Sequence, residues 1–225
     1  MTVPIQIREL PPAADAELLD RLLGVDFPTL GHYLEEGFCD PALRRVAGER
    51  KLAGRAVTVR ITPTDSAMLH HAASLVRPGD VVVIDCGGDL RHAPFGEVVA
   101  NALAARGAAG AVVDGAATDI DALRAVGLPV YARGLSLLTT KLHGLAAGGL
   151  NVPISCAGVP VRPGDLVLGD GNGVLVAPAH RLAAVLDEAL ADDAEEPDLV
   201  AALWQGGLLG ELTGATNLIL DPRKG

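Results

Sequence analysis

Residues Arg77-Pro78-Gly79-Asp80-Val81-Val82-Val83-Ile84-Asp85-Cys86-Gly87-Gly88-Asp89 decide the fold class. Proline and glycine turn the chain, four consecutive apolar residues make a strand without a polar face, and two glycines end it. Strands of this kind belong to sheets covered on both sides. Downstream the apolar period alternates: residues 95–106 read as a helix, Ala111-Val112-Val113 as a strand, residues 119–125 as a helix and Val130-Tyr131 as a strand. The resulting βαβαβ run predicts an α/β protein with a parallel sheet and functional loops at the carboxyl ends of its strands.

Toward the N-terminus, Asp15 is placed to cap a helix carrying Leu18, Leu19, Leu22 and Leu23, and Thr29 to cap a short one carrying Leu30, Tyr33 and Leu34. Residues 56–61 alternate like a strand, and Asp65 or Ser66 starts a helix with Met68, Leu69, Ala72 and Leu75 on one side. The second half is β-rich. Residues 151–161, 166–168 and 174–176 read as strands, most simply antiparallel, with a hairpin turn at Gly169-Asp170-Gly171-Asn172-Gly173. Arg162-Pro163-Gly164-Asp165-Leu166-Val167 echoes Arg77-Pro78-Gly79-Asp80-Val81-Val82, which reads as one turn chemistry used twice. A helix over 180–191, an acidic run over 192–196 and a last helix through Leu199, Leu203 and Trp204 close the chain.

With 225 residues and no linker-like stretch, the expectation is one domain spanning 1–225. Hydrophobic residues make up 49% and aromatics 3%, so the core has to be built from Ala, Val and Leu. A formal charge of −10, with 18 basic residues forming no stripe, argues against a sequence-independent grip on nucleic acid. No run of 18 apolar residues and no positively charged leader is present, which predicts no membrane span and a cytoplasmic location. Cys39, Cys86 and Cys156 are odd in number and far apart, as expected of buried thiols rather than disulfides or a CxxC metal site.

Three strand ends carry the candidate chemistry: Gly87-Gly88-Asp89, Gly96-Glu97, and residues 114–119, which end in Thr118-Asp119. Asp119, at a helix start just past a strand, either caps that helix or holds a hard cation through one oxygen. Glu97 is a first-turn acid, and the amides of Val98 and Val99 behind it favour an anion whatever their side chains. His32, His70, His71, His92, His143 and His180 lack the i, i+4 pairing of a zinc helix, and no Walker or GxGxxG pattern is present.

Glu97, twenty residues and then Thr118-Asp119 resemble the site pattern of the metal-dependent pyruvate aldolases of the 4-hydroxy-4-methyl-2-oxoglutarate type, in which an acid and twenty residues precede Arg-Asp. The resemblance extends over about residues 25–200, through residues 27–32, 54–59, Pro163-Gly164-Asp165 and 169–174. It takes in the family's non-catalytic relatives, the regulators of ribonuclease E activity A. It implies a swivelling β/β/α fold, Mg²⁺ or Mn²⁺ on Asp119, water oriented by Glu97, and a substrate carboxylate received by Gly96 and the Val98 and Val99 amides. It also implies a trimer or pair of trimers, with Glu195 and Glu196 near where a neighbouring subunit adds an acid.

Thr118 stands where the aldolases have their arginine, and Ser66 where an asparagine is common. Arg91 and His92, on the loop before Glu97, are the candidates to supply the missing positive or proton-donating group. The resemblance supports first a metal-dependent lyase acting on a small 2-oxo or hydroxy carboxylate. The competing readings are a non-catalytic binding protein and an isomerase or hydratase built on the same metal site.

Overall fold

The computed structural model describes residues 5–145 and 147–220; the extreme ends of the expected 1–225 span lie outside the described residues. In chain order the elements begin with β1 (Gln6–Ile7), α1 (Ala16–Gly24), a 3-10 segment (Phe27–His32), β2 (Arg44–Ala47), β3 (Leu52–Arg60), α2 (Ala67–Ala73), β4 (Asp80–Asp85) and α3 (Glu97–Ala105). There follow β5 (Gly110–Ala117), α4 (Ile120–Val126), β6 (Val130–Leu135), β7 (Gly149–Leu150), β8 (Ile154–Cys156) and β9 (Val159–Val161). The chain ends with β10 (Leu166–Gly169), β11 (Val174–Ala177), α5 (Ala179–Trp204), α6 (Leu209–Leu212) and α7 (Ala215–Leu220).

Strands β3, β4, β5 and β6 pair in parallel in that order, as the apolar runs predict. Antiparallel β2 borders β6, while β7 and β10 both pair antiparallel with β3. Alternation along the parallel strands sorts the core into layers. Val82, Ile84, Ala111 and Val113 face α2, α3 and α4, where they meet Leu69, Leu103 and Leu123. Val81, Val83, Val112 and Tyr131 face the opposite way, onto Ile154, Val161, Val167 and Val176 of the antiparallel hairpins. Helices, parallel sheet and β layer stack as the β/β/α expectation requires, and α1, the 3-10 segment and α5 pack outside on Leu166, Leu168 and Leu175.

The repeated turn is real at atomic detail. Asp80 accepts from Arg77 N at 2.8 Å and Asp165 from Arg162 N at 2.7 Å, with Gly79 and Gly164 both at positive φ. The two acids then diverge. Asp80 is buried in an ion pair with Arg55, whereas Asp165, half-buried without that partner, has its pKa raised by burial.

Three expectations are corrected. Thr29 caps no helix; it lies inside the 3-10 segment and its hydroxyl donates to Asp193. The 151–161 stretch is a hairpin, β8 and β9, folded at Ala157 and Gly158, both at positive φ. The acidic run does not interrupt the C-terminal helix, since α5 passes through it and through Pro197. The run is held by tertiary contacts: Asp193 accepts from Asp26 N at 2.6 Å, and Asp192 from the Tyr33 hydroxyl, pushing that phenol's pKa up to about 12. No helix among the described residues is long and apolar enough to cross a membrane.

Candidate active site

Strand β5 delivers Thr118 and Asp119 at its carboxyl end, against the start of α3. The two segments are tied by a parallel bridge between Phe95 and Ala117 and by Thr118 N donating to Phe95 O at 2.9 Å. Asp119 holds φ 55° and ψ 41°, a left-handed conformation that costs an L-residue about 1–2 kcal/mol. It occupies the N-cap position of α4, yet its side chain caps nothing there. Oδ2 instead accepts from Glu97 N at 3.0 Å, and Oδ1 faces the Thr118 hydroxyl at 3.3 Å. The strained backbone therefore accompanies a carboxylate turned away from its own helix and toward the positive end of α3.

Gly96 makes this approach possible. A β-carbon there would lie 2.4 Å from Asp119 Oδ2 and 2.7 Å from Thr118 Cγ2. Beyond it, the Val98 and Val99 amides donate to no acceptor among the described residues, and Ala100 N, bonding Gly96 O at 3.0 Å, is the first to turn back into the helix. These groups line an open pocket of about 390 Å³, together with Ser66, His70, Thr139, Thr140 and Lys141. That is the size of a small-molecule site.

A metal has one protein carboxylate to bind here. No group of three or more His, Cys, Asp or Glu side chains gathers among the described residues. Asp119, with free lone pairs beside an open pocket, suits a hard cation that keeps several water or substrate oxygens, as Mg²⁺ does, and offers nothing to a zinc cage.

Gly96, Val98, Val99, Thr118 and Asp119 thus come together. The other sequence candidates do not. His92 Nδ1 lies 2.7 Å from Asp89 Oδ2, Asp89 also accepts from Arg91 N at 2.8 Å, and neither Arg91 nor His92 reaches the pocket wall. Burial would raise the Asp89 pKa, but these donors outweigh it and hold the carboxyl below its usual range. Glu97 contributes its amide, while its exposed side chain is absent from the wall. Asp114 is turned aside to Arg133 and to Ala157 N. Sequence reading missed Lys141 and His70, because no local spacing marks them and only the packing of the 139–145 loop on α2 brings them to the site.

The profile of the RraA-like family, described as Aldolase/RraA, matches residues 15–176. The chain belongs to that family. A provisionally named 4-hydroxy-4-methyl-2-oxoglutarate aldolase from Halalkalibacterium halodurans is 41% identical over 146 residues, which make up 65% of this chain and 69% of the relative. One of the same name from Pseudomonas fluorescens (strain Pf0-1) is 32% identical over 160 residues, 67% of this chain and 96% of the relative. The RNA-processing inhibitor RraA of Thermus thermophilis superposes with a TM-score of 0.62 at 30% identity, covering 68% of this chain and 92% of its own. An uncharacterised protein from Pseudomonas syringae pv. tomato reaches 0.78 at 25% identity over 96% of this chain and 99% of its own.

Proposed function

We propose that this RraA-like protein is a divalent-metal-dependent lyase, of the aldolase or decarboxylase kind, acting on a small 2-oxo or hydroxy carboxylic acid. The observation that carries the reading is the Asp119 carboxylate, diverted from its own helix into a pocket that also presents two free amides. Asp119 would hold Mg²⁺ or Mn²⁺, whose chemistry when bound is that of a Lewis acid toward a 2-oxo or enolate oxygen. The Val98 and Val99 amides bind a substrate carboxylate at the positive end of α3. Gly96 keeps that surface bare, and the Thr118 hydroxyl offers one neutral hydrogen bond. Aldolase-named relatives support the reaction class, and the small pocket supports a small acid.

The uncharged Thr118 favours a second reading, a binding protein without catalysis, and a solved neighbour is named as an RNA-processing inhibitor. The two separate in one experiment. Purified protein is incubated with oxaloacetate or 4-hydroxy-4-methyl-2-oxoglutarate, with and without Mg²⁺, and pyruvate is followed. Metal-dependent pyruvate release that disappears in Asp119→Asn supports the lyase; saturable metal binding without turnover of these or related 2-oxo acids sinks it. We further propose that the working form is a trimer or a pair of trimers, as the family resemblance implies.

A further inference from the structure

We propose that Lys141 supplies the cation that Thr118 does not, and that the buried carboxylate of Asp65 is the residue that positions it. This rests on the lyase reading of the same pocket.

Both main-chain polar groups of Lys141 are committed to the turn before α2: its N–H donates to Thr64 O at 2.9 Å and its carbonyl accepts from Ser66 N at 3.0 Å. The Thr140 hydroxyl lies 2.8 Å from that of Ser66. On its other flank the loop is stitched to the residue preceding Pro94, by Ala93 N to Leu138 O at 2.8 Å and Thr140 N to Ala93 O at 3.3 Å. Asp65 joins the pieces. Only 5% exposed, it accepts from Ala67 N at 2.9 Å, at the start of α2, and from His143 N at 3.2 Å and Leu145 N at 2.7 Å in the loop. One carboxylate thus pins the helix that carries His70 to the loop that carries Lys141.

A backbone held on both sides fixes where a side chain leaves it, which is what a binding group needs to act without reorganisation. Lys141 lines the same pocket as Asp119, Val98 and Val99, and it is exposed there. Among the described residues its ammonium makes one long contact, 3.4 Å to the Thr139 hydroxyl, and no ion pair. A cation without an ion-pair partner, lining a pocket whose free amides already favour an anion, suits the second oxygen pair of a small acid. Lysine serves as a point charge, without the planar fork of arginine, so it binds carboxylates with less geometric demand.

The test is calorimetric titration of the Mn²⁺-loaded protein with oxalate, a planar mimic of a 2-oxo acid enolate, alongside titration of Mn²⁺ itself. Lys141→Met is expected to weaken oxalate at least about tenfold and Lys141→Arg by less than about threefold, both with Mn²⁺ affinity unchanged. Asp65→Asn should weaken oxalate in the wild-type background and add nothing in Lys141→Met, because it acts only through that lysine. Should Asp65→Asn not fold, Thr140→Val, which removes only the hydroxyl tie to Ser66, is read in the same two backgrounds. Unchanged oxalate binding in Lys141→Met, or a loss confined to His70→Gln, overturns the proposal and leaves the lyase reading standing. A wild-type protein that binds neither Mn²⁺ nor oxalate overturns both.

Discussion

Asp119 and Gly96 depend on one another, since the carboxylate oxygen occupies the space a β-carbon at Gly96 would need. Gly96→Ala should therefore displace the carboxylate from Glu97 N and weaken Mn²⁺ binding without unfolding the chain. Mn²⁺ titration with circular dichroism checks both halves, and undiminished affinity would separate Gly96 from the metal site. Thr118 offers the complementary test. If Lys141 already provides the cation, Thr118→Arg adds little to wild type but raises 2-oxo acid turnover of Lys141→Met at least about tenfold, or roughly 1.4 kcal/mol of transition-state stabilisation. A large gain in wild type instead would mean that the pocket lacks a working cation. The nearness of the Glu97 amide to Thr118-Asp119 was legible because a fixed spacing joins the end of one strand to the start of one helix, whereas the exposed Glu97 side chain stays off the pocket wall. The direction of the Asp119 carboxylate was not legible, because a left-handed backbone decides it. Arg91 and His92 misled because chain proximity to Glu97 put them forward, while Asp89, closer still, claims the His92 ring and the Arg91 amide.

At the scale of elements, period and turn chemistry carried the parallel strands and both Arg-Pro-Gly-Asp turns, where local residues suffice. They failed at α5, whose acidic run read as the gap between two helices, and the structure carries the helix through Pro197 as well. A proline there removes one donor, which weakens a helix locally, but Asp192 and Asp193 are fastened to Tyr33, Thr29 and Asp26, so tertiary contacts override the local preference. Asp193→Ala should consequently lower stability by about 1–3 kcal/mol, seen as a lower urea midpoint, since it strands a part-buried hydroxyl and an amide. Asp65 provides a pH-dependent case. Burial acts to raise its pKa, but the N–H groups of Ala67, Leu145 and His143 prevail and hold it below its ordinary 3.8. A carboxyl whose folded pKa is depressed contributes stability that is complete above the unfolded value and lost as pH falls through the folded one. The Tm difference between wild type and Asp65→Asn should thus be constant from neutral pH down to about 5 and shrink below about 4. A difference that grows on acidification would contradict the assignment.

On the scale of the whole molecule, the surface exposes large apolar side chains. Around the pocket Val98 is 74% exposed, Leu137 99% and Leu142 63%, and at the far end of α5 Trp204 is 87% exposed. Leucines scattered singly need no explanation, but several around one small-molecule site are more than a monomer ordinarily leaves in water. A closed ring of copies, each covering its neighbour's rim, removes them while leaving no free edge. Light scattering should accordingly report three or six chains at micromolar concentration. Leu137→Ser with Leu142→Ser strips apolar surface from that rim without adding charge beside Asp119 or Lys141, and should shift the mass toward the monomer. The variant then decides how far the site depends on assembly. If Mn²⁺ binding persists while oxalate affinity falls, a neighbouring copy helps to close the carboxylate pocket; if both persist in a clean monomer, the pocket is complete within one chain. A wild-type protein that is monomeric from the outset would refute the ring and leave the apolar rim without a partner of its own kind.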